Sequence, residues 1–195
     1  MAERAPVVVV IAGPNGAGKT TTAPRLLQDA LTVVEFVNAD PIAAGLSAFR
    51  PRSVAIAAGR VMVARMRALA RARRDFAFET TLASRSFAPW LTSLRASGYR
   101  VHVAFLSLSG PDLAVARVTE RVRRGGHDVP EAVVRRRFVT GLKNLFALYL
   151  ALADTWQVFD NSAAEAPRLI ATGRAGEPPA IVDAEAWTRL EEGQR

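Results

Sequence analysis

The string Gly13-Pro14-Asn15-Gly16-Ala17-Gly18-Lys19-Thr20 satisfies the pattern G-x-x-x-x-G-K-[ST] and stands directly behind the β-branched run Val7 to Ala12. No other feature of the chain leaves so few architectures open. Glycines at these spacings let successive backbone N–H groups turn inward around phosphate oxygens, and a helix starting beside them adds the positive end of its dipole. Pro6 and Gly13 bound the apolar run, which reads as a strand buried on both faces, the usual state of a central parallel strand. Thr20 to Ala30 has the composition of a helix, with Pro24 expected near its first turn, where a missing N–H costs little.

The alternation of element types continues along the chain. Val33 to Val37 reads as a second strand ending in Asn38-Ala39-Asp40, with Pro41 as a first helical position behind an Asp cap. Ser53 to Arg74 reads as a long helix with Val54, Ala58, Val61, Arg65 or Ala64, Ala68 and Ala72 at helical spacing. There follow a strand at Phe76 to Thr80, a helix at Phe87 to Ala96 closed by Gly98, and a strand at Val101 to Leu108. Leu113 to Arg124 reads as a helix, Gly125-Gly126 as a break, and Pro130 to Ala153 as a helix with Val134, Phe138, Leu142, Leu145, Tyr149 and Leu152 on one side. Trp156 to Phe159 is a last core strand, Leu169 to Ala171 and Ala180 to Val182 are short edge strands, and a brief helix ends the chain. Such alternation implies a parallel sheet between layers of helices. A length of 195 residues against a typical domain of about 150 implies one domain over 1–195.

Composition removes several function classes. The chain has no cysteine, so disulfides, thiolate metal sites and thiol nucleophiles are excluded. The longest apolar stretch, Leu145 to Ala153, falls far short of the ~20 residues that span a bilayer, and no export signal precedes Val7. A cytoplasmic protein without membrane association is expected. A net charge of +8 favours acidic partners in general. Aromatic residues are only 7% of the chain and form no stacking pattern, which counts against a nucleic-acid-binding protein. Arginines outnumber lysines 24 to 2, yet one of the two lysines stands at position 19.

That lysine has a definite task in a phosphate loop. The segment Gly13 to Thr21 is expected to hold ATP, with Lys19 neutralising the β- and γ-phosphates and the Thr20 hydroxyl ligating Mg²⁺. Asp40 falls at the carboxyl edge of the sheet, where parallel-strand proteins bind ligands. It can accept a proton from a hydroxyl attacking the γ-phosphate or hold a water of the metal, and before Pro41 it equally suits a helix cap. Glu79, with Thr80 and Thr81, closes the third strand at the same edge and can fix a polyhydroxy substrate, or one of the threonines can cap the next helix. Arg117, Arg121 and Arg124 share one helix stripe at i, i+4 and i+7 ahead of a flexible break, which suits a cationic lid over the γ-phosphate. Arg123 falls off that stripe, His127 reads as a loop residue, and of Arg135, Arg136 and Arg137 about one in three is expected to reach phosphate. The loop string also resembles that of transporter-type ATPases. Those need a signature loop and a strand ending in Asp-Glu, and Leu108-Ser109-Gly110-Pro111 lacks the required continuation.

Taken together, the phosphate loop, Val37-Asn38-Ala39-Asp40-Pro41, Phe78-Glu79-Thr80-Thr81-Leu82 and the run Arg121 to Pro130 resemble the zeta toxin-like family of small P-loop kinases. The resemblance covers a core of about 7–162 and leaves 163–195 as a C-terminal extension. It implies a P-loop NTPase fold, three layers α/β/α around a five-stranded parallel sheet, and ATP-dependent phosphorylation of a hydroxyl. In the best-known branch that hydroxyl is the 3′-hydroxyl of the sugar in UDP-N-acetylglucosamine, and a sister branch is similar to chloramphenicol phosphotransferase. By position, Lys19 and Thr20 match the nucleotide and metal residues, Asp40 the catalytic base, Glu79 a substrate contact, and Arg117 one of two family arginines. The Gly125-Gly126-His127 loop looks more like chromosomal relatives than plasmid toxins, which counts against an antitoxin partner.

Overall fold

A computed structural model describes residues 4–30, 35–47, 51–126, 128–163 and 165–194. Val7–Ala12 forms β1, and Val8 to Ala12 are wholly buried, as a strand covered on both faces requires. The order continues with α1 (Lys19–Ala30), β2 (Phe36–Val37), α2 (Ala39–Leu46), α3 (Ala55–Arg71, entered through a 3₁₀ turn), β3 (Phe76–Thr80), α4 (Phe87–Ala96) and β4 (Arg100–Ser107). After these come α5 (Pro111–Arg123) and α6 (Glu131–Asn144), which runs through a π turn (Leu145–Tyr149) into the short α7 (Leu150–Leu152). The chain closes with β5 (Thr155–Asp160), β6 (Arg168–Arg174), β7 (Ala180–Ile181) and α8 (Ala184–Gly193).

The strands lie in the order β2-β3-β1-β4-β5-β6-β7. The first five are parallel, the expected core, and β6 and β7 extend it antiparallel where short edge strands were anticipated. β1 lies between β3 and β4, so the chain leaves β1 for one side of the sheet and later returns to fill the other. The carboxyl end of β1 is therefore a topological switch point, where adjacent loops diverge and open a crevice.

One face of the sheet buries Phe76, Phe78, Phe105, Leu91, Tyr149 and Trp156. On the other, Val9, Ile11, Ala77 and Ala104 pack under Ala23 and Leu27 of α1. The tail joins the first of these clusters: Trp187 of α8 stacks on Trp156 with centroids 5.8 Å apart and planes 11° from parallel. β6 can cross that ring because residue 173 is glycine, whose added Cβ would fall 2.4 Å from the indole.

Two expectations need correction. The buried stripe of α3 is Ala58, Met62, Met66 and Leu69, while Val61 is exposed. Long methionine and leucine side chains remove more apolar area from water than Ala64 and Ala68 would, and they set the helix's rotation. Pro24 lies at the sixth residue of α1, beyond its first turn. It denies the Thr20 carbonyl a helical donor, and both residues are exposed, so water can serve that oxygen. Of the predicted second strand, residues 33 and 34 lie outside the described residues.

Candidate active site

The phosphate loop is held open by backbone that other residues could not adopt. Gly13, Gly16 and Gly18 have φ of +143°, +80° and +74°, in the region that favours glycine. A Cβ on Gly13 would also fall 2.3 Å from the Leu106 carbonyl oxygen of the neighbouring strand. Inside this loop Lys19 is almost completely buried. Its Nζ donates to the carbonyls of Gly13 and Pro14, both at 2.9 Å, and stands 3.6 Å from Glu79 Oε1. Burial presses the Lys19 pKa below its ordinary 10.5, while Glu79 and Asp40 favour the charged form. Asn161, just past β5, donates from Nδ2 to the Ala17 carbonyl at 2.8 Å and braces the loop from behind.

Below Lys19 the ends of α1, β2 and β3 meet. Glu79 Oε2 accepts from the Thr20 hydroxyl at 2.7 Å and from Asn38 Nδ2 at 2.7 Å. Asn38 Nδ2 also approaches Thr20 Oγ1 at 3.3 Å. The other end of the same amide caps α2, its Oδ1 accepting from the Asp40 N–H at 2.9 Å. The helix cap is therefore Asn38, two residues before the aspartate expected in that place. Asp40 sits in the first turn of α2 with its side chain exposed to the crevice.

These groups line a cavity of about 540 Å³ that also takes in Asn15, Thr80, Thr81, Arg117, Arg121, Val129 and Arg137. The arginines divide three ways. Arg121 and Arg137 face the cavity, and Arg137 Nη1 lies 3.5 Å from Asn15 Oδ1. Burial, and then Arg136, press the Arg137 pKa below its usual 12.5 while Asp40 opposes them. It remains a cation at neutral pH. Arg117 borders the cavity but spends its guanidinium on main-chain carbonyls, Nη1 to Asn161 and Nη2 to Ser162, both at 2.7 Å. Arg124 lies outside it, 78% exposed and paired with Glu120 at 2.9 Å. The stripe of Arg117, Arg121 and Arg124 is real, for all three border a neighbouring open cleft. The crevice receives its first two members only, because α5 ends at Arg123 and turns away at Gly125, whose φ is +83°. Among Arg135, Arg136 and Arg137, Arg135 is occupied by Glu131 and Asp112 on the surface. His127 lies outside the described residues.

Thr80 ends β3, and Thr81 opens a loop clamped from above by α6. A Cβ on Gly141 would fall 2.3 Å from the Thr81 carbonyl oxygen, so only glycine permits this approach. Asn144 Nδ2 donates to the Leu82 carbonyl at 2.7 Å and the Tyr149 hydroxyl to the Ser84 carbonyl at 3.0 Å. Leu82 is wholly buried at φ +55°, a conformation that the clamp sustains. The π turn at Leu145–Tyr149 widens the helix so that residues five apart, Asn144 and Tyr149, both reach the loop.

Among the described residues no group of three or more His, Cys, Asp or Glu could hold a metal. The Thr20 hydroxyl and the Glu79 carboxylate nevertheless form a hard oxygen pair beside a phosphate cradle. That suits a Mg²⁺ ion held by one or two protein oxygens together with substrate phosphates.

The structure brings the sequence-predicted loop, Asp40 and Glu79 together at one cavity, with Arg137 as the member of its arginine run that borders it. Sequence reading passes over Asn38 and Asn161. For Asn38 the signal was present, an amide residue two before an aspartate at a strand end. For Asn161 there was none, because the contact spans 144 residues.

Comparison with known proteins agrees with the fold. A protein of Haemophilus influenzae with no described activity is 29% identical over 126 residues, covering 65% of this chain and 88% of that protein. The AvrRxo1-ORF1:-ORF2 complex solved with ATP superposes with a TM-score of 0.76 at 16% identity, over 97% of this chain and 64% of that one. This chain thus spans about two thirds of that relative's length. The toxin-antitoxin system PezAT of Streptococcus pneumoniae gives 0.65 at 15% identity, over 99% of this chain and 87% of the other. Residues 1–170 match the Zeta toxin family, and the chain, with its nucleotide-binding P-loop fold, belongs to that family.

Proposed function

We propose that this protein is an ATP-dependent kinase that phosphorylates a hydroxyl of a small molecule. The observation that carries the reading is one crevice in which the buried Lys19 and the Thr20–Glu79 pair face Asp40 across a cavity rimmed by Arg121 and Arg137. The loop from Gly13 to Thr21 cradles the triphosphate, and Thr20 with Glu79 on its outer side holds Mg²⁺. A Mg²⁺ ion held there would supply positive charge to offset that of the phosphates. Asp40 takes the proton of the acceptor hydroxyl, whose oxygen forms the new bond to the γ-phosphorus as the bond to the β-γ bridging oxygen breaks and ADP leaves. Lys19, Arg121 and Arg137 neutralise charge on the transferring group. Thr80 at the end of β3 and Thr81 on the clamped loop offer hydroxyls to orient the acceptor.

ATP as donor is supported by the neighbour solved with it and by the family. A nucleotide sugar such as UDP-N-acetylglucosamine is the first acceptor to try, and an antibiotic alcohol of the chloramphenicol type the second. An antitoxin-like partner enters through PezAT, described as a toxin-antitoxin system. The cytoplasm, where ATP is abundant, is the proposed compartment.

The test is incubation with γ-labelled MgATP and a metabolite extract, followed by mass spectrometry of new phosphorylated species. Asp40→Asn is expected to keep calorimetric ATP binding within about twofold and to lose turnover by about 10²-fold or more. Wild-type turnover in that variant would remove Asp40 from the mechanism.

A further inference from the structure

Asn38 is almost completely buried, and both ends of its amide are used. The assignment of its two ends follows from the partners. A backbone N–H can only donate, so the atom facing Asp40 N is the oxygen, and a carboxylate can only accept, so the atom facing Glu79 Oε2 is the nitrogen. One rigid side chain thereby joins two halves of the site. Its oxygen fixes the first turn of α2, which carries Asp40, and its nitrogen fixes the carboxylate that also accepts from Thr20 on the first turn of α1. α2 is eight residues long with one buried residue, Ala43, and β2 beside it has two residues.

We infer that Asn38 is a positioning residue for phosphoryl transfer, a strut that sets Asp40 at a fixed distance from the Thr20–Glu79 pair, and so from the γ-phosphate. This rests on the kinase reading of the site. Its specific content is that Asn38 acts on the placement of the base and leaves nucleotide binding untouched. The phosphate loop makes its own contacts through Gly13, Pro14, Ala17 and Asn161. The residue type follows from the task. Serine caps a helix as well as asparagine does but is too short to span both partners, and aspartate has the span and the cap but no hydrogen to donate to Glu79.

Those differences separate a strut from an ordinary cap. In Asn38→Ser the cap survives, so the unfolding temperature should stay within about 2–4 °C of wild type. Transfer of label from γ-labelled MgATP into a metabolite extract should fall about 10-fold to 10²-fold in kcat, as a reacting group displaced by about 1 Å does. The calorimetric affinity for MgATP and the KM for ATP should hold within about twofold. Asn38→Asp, which keeps shape and cap but sets a second carboxylate against Glu79, should lose at least as much turnover, and it answers the question if the serine variant folds poorly. Full turnover in both variants would overturn the inference and reduce Asn38 to a cap. Loss of MgATP affinity in proportion to turnover would also overturn it, by making Asn38 part of nucleotide binding. Failure of the kinase reading looks different: the wild-type protein itself would transfer no label.

Discussion

The two walls of the crevice are built on different principles. The phosphate loop is almost entirely main chain, with left-handed glycines, a carbonyl pair gripping Lys19, and an amide brace from Asn161. The opposite wall is made of long side chains delivered by α5 and α6, and there one position on a helix decides whether an arginine faces the crevice or the solvent. A wall of backbone is fixed by local sequence, since glycine spacing sets its dihedral angles. A wall of side chains is fixed by how two helices lie against the sheet, which no local pattern records. The two walls should therefore respond differently to mutation, steeply and without exception on the loop, and very unequally among arginines that look alike in the sequence.

Lys19→Ala tests the first half of that contrast and should have the largest effect. Transfer is expected to fall by about 10³-fold or more, because the ammonium is the buried cation that the phosphate loop itself holds. Stability should change by about 1–3 kcal/mol, since the Gly13 and Pro14 carbonyls lose their donor while Glu79 keeps Thr20 and Asn38. Steady-state kinetics beside chemical denaturation measures both quantities. A variant that retained a tenth of its activity would show that the loop amides suffice and that the two walls are less distinct than the geometry implies.

The second half is tested by a pair of substitutions of one type. Arg137→Ala should cost about 10²-fold in kcat/KM, because it removes a half-buried cation from the cavity. Arg124→Ala removes an exposed ion pair with Glu120 and should leave turnover within about twofold. Equal losses in the two would mean that the end of α5 folds over the crevice during the reaction, bringing Arg124 in. That outcome would restore the whole stripe to the lid.

The same contrast explains what could be read from the chain alone. The strand Phe76–Thr80 and the helix Phe87–Ala96 are found where periodicity puts them, because alternation and punctuation are local signals. The strand that precedes Gly13 and the helix that follows Gly18 are equally legible. The placement of Asp40 and Glu79 in one crevice is legible because ends of parallel strands converge on one edge of the sheet. The grip of Arg117 on the Asn161 and Ser162 carbonyls was not legible, as it depends on where β5 ends relative to α5. The rotation of α3 was misjudged for a different reason. Alanines occur all around that helix, and its direction is carried by Met62, Met66 and Leu69. Side-chain size outweighed periodicity there.

A further effect belongs to the clamp by which α6 and the π turn hold residues 81–84. Tyr149→Phe keeps the ring in the core and removes only the bond to the Ser84 carbonyl, a loss of about 1 kcal/mol near neutral pH. Its pH dependence is the sharper reading. Burial pushes the Tyr149 hydroxyl from its ordinary 10.0 up to about 12, so between those values the folded chain keeps a proton that the unfolded chain has released. The stability this represents is fully present below about pH 10 and is lost as pH rises through 12. Tyr99 is also raised, by burial, and contributes in the same sense to both proteins. The difference between wild type and Tyr149→Phe in denaturation experiments should therefore be constant to about pH 10 and shrink above it. A difference that stayed constant through pH 12 would mean that water reaches the hydroxyl and that the loop opened by Thr81 is held by Gly141 and Asn144 alone.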